Sequence, residues 1–258
     1  MTRPLRIEAA GATDVGRQRE HNEDSFVVDL ELGLFIVADG IGGAASGEVA
    51  SRMAVEVVRS CCAEERDLEI TQPSDLDDTQ SPVELRLLSC LWQANKQIFD
   101  TGMRDPRHRG MATTFAGMHV ADGVAYIAHV GDSRVYRFRG GQITRLTEDH
   151  SLHNEFARRG EVLPEGIDPF IARSVVTRAL GMERHVEVET RTERPEAGDV
   201  FLVCSDGLTG PVPDEDLVDV LAAAPDMASA IDLLIDLANQ RGGPDNVTCV
   251  AVRFHGDP

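Results

Sequence analysis

Between Thr113 and Arg139 the chain writes three short apolar stretches, TTFAGMHV, VAYIAHV and RVYRFR, and punctuates them with turn dipeptides. Asp122-Gly123 lies between the first two and Gly140-Gly141 follows the third. Connections this short join antiparallel neighbours, because a parallel pair needs a crossover of a dozen residues or more. An antiparallel sheet is therefore required, and the rest of the chain must cover it. The segment 24–38 reads as two further strands with a turn near Leu30–Gly33; HVEVET, VFLVC and NVTCVAVRF continue the extended pattern. Helical spacing recurs over 47–62, in Val49, Ala50, Met53, Ala54, Val57, Val58, Cys61 and Cys62, and over 83–100, in Leu85, Leu88, Leu91, Trp92, Ile98 and Phe99. Two more helices are expected near 214–223 and 226–240, the latter capped by Asp226. The acidic, turn-rich stretch 67–82 reads as an exposed loop, and 148–180 as irregular. Strands and helices come in blocks, which favours an α+β layered architecture over a parallel doubly wound sheet. No repeat, Pro-rich linker or shift of composition divides the chain, so a single domain over 1–258 is expected.

With 258 residues, 42% of them hydrophobic, the chain can bury a sizeable core. It has no apolar run of about 18 residues and its N-terminus lacks a signal-type apolar region, so a cytoplasmic protein without a membrane span is expected. The five cysteines are odd in number and form no C-x-x-C pair; they read as small buried hydrophobes in a reducing compartment. The net charge of −19 would be repelled by a phosphate backbone, so nucleic acid is not an expected partner.

The acids carry more information where they sit. LFIVADGIGG (34–43), VAYIAHVGDS (124–133) and FLVCSDG (201–207) each end an apolar run at or beside an aspartate next to a glycine. An Asp-Gly pair alone is turn chemistry. Asp39, Asp132 and Asp206 at strand ends, however, with Asp245 just before a strand, place four carboxylates where one rim of an antiparallel sheet can gather them. The glycine after Asp39 or Asp206 is expected to let the backbone turn sharply and present a carbonyl. Carboxylate and carbonyl oxygens are the ligands that hard divalent cations select. With RQREHNEDS (17–25) ahead of the first hairpin, the pattern points to an oxygen-ligand site for more than one metal ion and leaves the reaction open.

RQREHNEDS, VADGIGG, GMATT, HVGDSRVY, LTEDHS, VTRALG, VCSDGL and GGPDNVT occur in that order between residues 17 and 248. In identity, order and spacing they resemble the metal-dependent serine/threonine protein phosphatases, the PPM or type 2C family, and most closely its bacterial single-domain members. The resemblance implies a four-layer α-β-β-α sandwich of two antiparallel sheets flanked by helices. It implies a binuclear Mn²⁺ or Mg²⁺ centre at one edge, with Asp39 bridging both ions, the Gly40 carbonyl on one of them, and Asp206 and Asp245 on the other. Glu23 and Asp24 are implied to hold metal-bound waters or to stand behind the ligands. Asp132, with Asp206, matches a third, weaker ion site, and Arg19 matches the phosphate-binding arginine. The implied reaction is hydrolysis of phosphoserine or phosphothreonine by metal-activated water, without a phosphoenzyme, and the implied partners are a Ser/Thr kinase and its targets. A monomer is expected.

The chain departs from the family pattern at Ile41, where eukaryotic relatives often carry a histidine proposed to protonate the leaving alcohol, and at Ala112, which replaces a glycine. Residues 151–180 match the position of the family's variable flap. Within it Arg158 and Arg159 are candidates for docking an acidic phosphopeptide, while His150 and His153 read as packing residues on a helix. Two alternatives stay open: a binding module that keeps the fold without turnover, whose hallmark would be a lost ligand acid, and a phosphoesterase for small molecules.

Overall fold

The computed structural model describes residues 5–42, 46–64 and 81–256, the side chain of Phe170 excepted. Most of the stretch expected as an acidic loop, 67–80, falls outside the described residues. Among the described residues no helix is long and apolar enough to cross a membrane. One sheet has the spatial order β1 (Arg6–Asp14), β11 (Val247–His255), β10 (Val200–Cys204), β7 (Arg134–Arg139), β8 (Gln142–Arg145). The other runs β2 (Asp24–Asp29), β3 (Leu34–Ile41), β5 (Phe115–Ala121), β6 (Val124–Val130), β9 (Glu189–Glu193), with the two-residue β4 (Ala112–Thr113) beside the end of β3. Every strand pairing is antiparallel, as the hairpin dipeptides require.

The period-two alternation of the strands sorts the core into three layers of side chains. Phe35 and Val37 of β3 meet Phe201 and Val203 of β10 and Val250 and Val252 of β11 between the sheets. Leu34, Ile36 and Ala38 point the other way, onto α1 (Ser46–Ala63) and α2 (Pro82–Arg104). Leu202, Cys204, Cys249 and Ala251 leave the opposite face for α6 (Asp214–Ala223) and α7 (Met227–Gln240). The result is the expected α-β-β-α sandwich. The main departures from the sequence reading are these. β1 was not anticipated; β9 lies at 189–193 rather than 185–190; and the irregular stretch contains α3 (Leu152–Arg158) and α4 (Pro169–Ser174). Its neck is closed by the Ser151–Val176 bridge and by the Leu152 N–H donating to Val175 O, so this segment leaves and rejoins the body at one place.

The cysteine expectation is also corrected. Cys61 and Cys90 are disulfide-bonded, with Cα atoms 5.5 Å apart, and only Cys62, Cys204 and Cys249 are free thiols. Packing of α1 against α2 brings together two residues separated by 29 positions, a proximity that no local spacing announces.

Candidate active site

Asp39 shares its strand face with Phe35 and Val37, so alternation sends its carboxylate between the sheets, at their rim. Its cross-strand partner in β2 is Asp24. Asp206 stands two residues beyond β10, as the first residue of α5 (Asp206–Thr209); Asp245 stands two residues before β11, and Asp132 two residues after β6. Because β10 and β11 are antiparallel with Cys204 opposite Cys249, the end of one strand and the start of the other share an edge. The Asp206 carboxyl is within hydrogen-bonding reach of Asp39. All the acids expected at the site except Asp24, together with Arg19 and Gly40, line one cleft of about 370 Å³. Asp24 lies behind it.

Asp24 joins the two sheets at this edge. Its Oδ2 accepts from Thr248 Oγ1 at 2.6 Å, in β11 of the opposite sheet, and from Ser205 Oγ at 2.9 Å, just past the end of β10, while its Oδ1 has no protein partner. Ser205, placed to cap α5, spends its hydroxyl on this contact instead. Thr114 and Thr113 fix the backbone of Asp39: the Asp39 N–H donates to Thr114 Oγ1 at 2.9 Å, and Thr113 Oγ1 donates to Asp39 O at 2.8 Å. Asn246 holds the segment carrying Arg19, accepting from the Glu23 N–H and donating to the carbonyls of Val15 and His21. Sequence reasoning assigned none of these roles. The GMATT and GGPDNVT motifs marked the positions, but hydroxyl and amide geometry is set by the meeting of two sheets.

The expected sharp turn after Asp39 does not occur. Gly40 continues β3 as extended backbone, and the demand for glycine comes from close approach: a Cβ there would collide with the backbone of Gly47 in α1 and with Glu23 O. Gly131, ahead of Asp132, does need its freedom, with φ at +105°.

Burial and mutual repulsion raise the pKa of the whole acidic group. Burial first, then the charges of Asp24, Asp206, Asp132 and Asp245, hold Asp39 well above the ordinary carboxylate range. Asp24 rises to about 7, through burial opposed by the two hydroxyl contacts and reinforced by Asp206 and Asp245. Asp132 likewise rises to about 7, by burial and by Asp206 and Asp149. Burial also raises Asp206 and Glu23. The buried oxygens Asp206 Oδ1 and Asp24 Oδ1 have no protein partner. Crowded carboxylates with unpartnered oxygens, an all-oxygen donor set and a neighbouring backbone carbonyl fit hard divalent cations.

Arg19 sits at the lip of the cleft and donates to Asp245 Oδ2 at 2.7 Å. Arg158 and Arg159 do not line the cleft; Arg158 is held by Glu148 and Glu189, and Arg159 faces Glu155. His153 lies on α3, but His150 precedes that helix and is buried, its Nδ1 accepting from the Gly131 N–H at 3.0 Å. His150 stacks on His129 at 4.7 Å and faces Glu189 at 3.1 Å. These three side chains form a compact group, but Arg158 and Arg178 already bring positive charge to Glu189, so the group is satisfied as an ionic network beneath Gly131 rather than as a cation site.

The comparison with known proteins agrees with this geometry. Residues 14–247 match the family model described as Protein phosphatase 2C. The chain is 37% identical over 249 residues to the "Serine/threonine phosphatase stp" of Listeria welshimeri, covering 95% of both chains. The solved serine/threonine phosphatase PstP/Ppp of Mycobacterium tuberculosis superposes with a TM-score of 0.82 at 31% identity, over 97% of this chain and 99% of that one. A catalytic domain of PstP solved in complex with two manganese ions gives 0.81 at 31% identity, over the same shares.

Proposed function

The chain belongs to the protein phosphatase 2C family and is a serine/threonine phosphatase; on that premise we propose that the rim of acids holds a pair of divalent metal ions and works by direct hydrolysis of phosphoserine and phosphothreonine in proteins. In this reading Asp39, the Gly40 carbonyl, Asp206 and Asp245, which line the cleft together, would hold the two ions. Asp132, with Asp206, offers a third and weaker position. Bound there, the ions supply a water activated for in-line attack on phosphorus. The relative solved with two manganese ions supports a two-ion centre, with Mn²⁺ or Mg²⁺ as its occupants. The observation that carries the assignment is the convergence of Asp39, Asp132, Asp206 and Asp245 from four separate strand ends onto one cleft, with Asp206 Oδ1 unpartnered behind it.

The chain's own groups then position the substrate. The Arg19 guanidinium, planar and permanently charged, is set at the cleft's lip to take two phosphate oxygens. Glu23 receives the Gly47 N–H and lines the cleft, while Asp24 stands behind it. Ile41 lines the cleft and has no proton to give, so the leaving alcohol takes its proton from another group. The excursion 151–175 borders the cleft through Ser174, which makes it the segment expected to touch the protein part of a substrate. The physiological substrates we assign are targets of a Ser/Thr kinase, in the cytoplasm, acted on by a single domain spanning 1–258 working as a monomer.

Hydrolysis of p-nitrophenyl phosphate, measured with Mn²⁺, with Mg²⁺ and with chelator, tests the centre, alongside calorimetric titration of Mn²⁺ into the wild type and Asp39→Asn. We expect turnover only with metal and loss of both turnover and tight metal uptake in the variant. Full activity in chelator, or an unchanged Mn²⁺ isotherm in Asp39→Asn, would overturn the assignment. A phosphopeptide panel then separates protein from small-molecule substrates.

A further inference from the structure

Three of the five cysteines meet on the side of the molecule away from the cleft. Cys61 and Cys62 are neighbours near the end of α1, and Cys90 faces them from α2. Cys90 is bonded to Cys61, yet the free thiol of Cys62 lies only 3.8 Å from Cys90 Sγ. A structural disulfide ordinarily sits among inert neighbours; this one has a competing sulfur in contact with it. On its other side Cys61 lines a groove of about 260 Å³ between α1 and α2, walled by Glu56, Glu64, Gln93 and Gln97. That volume holds several waters, so a small thiol has a way in.

We infer that Cys61, Cys62 and Cys90 form a thiol–disulfide exchange site, in which Cys90 is shared between two partners and small thiols of neutral or positive charge enter through the groove at Cys61. The internal step is balanced without any outside reagent. Cys62 gives its proton to water, its sulfur attacks Cys90 Sγ, the Cys61–Cys90 bond breaks, and the electron pair leaves on Cys61, which is reprotonated facing the groove. The external step consumes two molecules of a small thiol. The first attacks Cys61 and releases Cys90 as a thiolate; the second resolves the mixed disulfide, giving one small-molecule disulfide and two protein thiols. Burial raises the Cys62 thiol to about 11, against the opposing charge of Arg86, so the internal step is slow at neutral pH and accelerates as pH rises. Glu56 and Glu64 set the charge preference of the groove. Disulfides in reducing compartments are usually transient or redox-sensing, which suits a bond built to exchange.

Cys204 and Cys249, free and buried on the opposite sheet, serve as internal controls. The wild type, alkylated and mapped under non-reducing conditions, should show one disulfide and the three free thiols Cys62, Cys204 and Cys249. In Cys61→Ser a Cys62–Cys90 disulfide should replace it, leaving only Cys204 and Cys249 reactive after denaturation. If Cys62 and Cys90 stay free in that variant under oxidising conditions, Cys90 is not shared and the inference fails. A second measurement needs no variant. Reduction of the native wild-type disulfide by cysteamine should outpace reduction by glutathione at equal thiolate concentration, and the gap should close at high salt. Equal rates at low salt would remove the groove from the account.

Discussion

The acid rim makes a quantitative claim about stability in the absence of metal. Asp24 has an ordinary pKa of 3.8 and one of about 7 in the folded chain, because it is buried beside other carboxylates. As pH rises from about 4 to 7 the unfolded chain releases this proton while the folded chain keeps it, so folded protein binds more protons and unfolding becomes easier. The stabilising difference is complete below the unfolded pKa and is lost as pH passes through the folded one. A shift of roughly three units corresponds to about 4 kcal/mol for this one group, a large share of a typical domain's stability. Asp132 acts in the same direction over the same window. Urea unfolding of chelator-treated protein at pH 5, 6, 7 and 8 should therefore show stability falling by several kcal/mol. Added Mn²⁺ or Mg²⁺ should flatten the fall by placing positive charge among the acids. Asp24→Asn isolates the group: its carbonyl oxygen can still accept from Ser205 and Thr248, and its amide replaces the unpartnered Oδ1. At pH 8 in chelator the variant should be more stable than wild type by up to about 4 kcal/mol, and near pH 4 the two should converge. A wild-type profile that stays flat or climbs from pH 5 to 8, with Asp24→Asn no more stable at pH 8, would refute the electrostatic reasoning.

Other outcomes can be checked more briefly. Thr114→Val leaves the Asp39 N–H without its acceptor, which should cost about 1–3 kcal/mol in thermal or chemical unfolding and weaken Mn²⁺ uptake by misplacing Asp39. Arg19→Ala should raise KM for p-nitrophenyl phosphate far more than Arg158→Ala, because only Arg19 lines the cleft; similar effects in steady-state kinetics would argue against Arg19 as the anchor. Reducing the Cys61–Cys90 bond reopens a loop of 29 residues, and chain entropy then predicts about 3.6 kcal/mol less stability, read as a lower urea midpoint with and without reductant.

Much of the scaffold was legible because local chemistry and global fold agree. Asp122-Gly123 and Gly140-Gly141 do form the turns of antiparallel hairpins, and helical periodicity located α1, α2, α6 and α7 to within a few residues. β1 escaped because RIEAAGATD carries few strand-forming side chains; its nine-residue ladder with β11 makes it a strand, and a partner from the other end of the chain is invisible locally. HVEVET alternates like a strand, yet Val186 is consumed by the core under α1 and α2, and backbone pairing starts only at Glu189. The Cys61–Cys90 bond was missed for the same kind of reason: it depends on how two helices pack, a contact across 29 residues.

At the rim, which acids meet was readable and what supports them was not. Aspartates at the ends of apolar runs announce themselves, but nothing in VCSDGL says that Ser205 must reach Asp24, and nothing in GMATT says that Thr114 must carry the Asp39 N–H. These contacts follow from the alternation of two sheets meeting at one edge. They also explain why a cluster so costly to assemble does not simply open. Left to themselves, mutually repelling carboxylates would swing outward into water. Asp24 is held by two hydroxyls, the Asp39 backbone by two threonines, and the Asp245 segment by the backbone and side-chain bonds of Asn246. The frame keeps the oxygens facing one cleft, so with the proposed ions in place the repulsion among the acids would become affinity for divalent charge instead of a force that unfolds the rim.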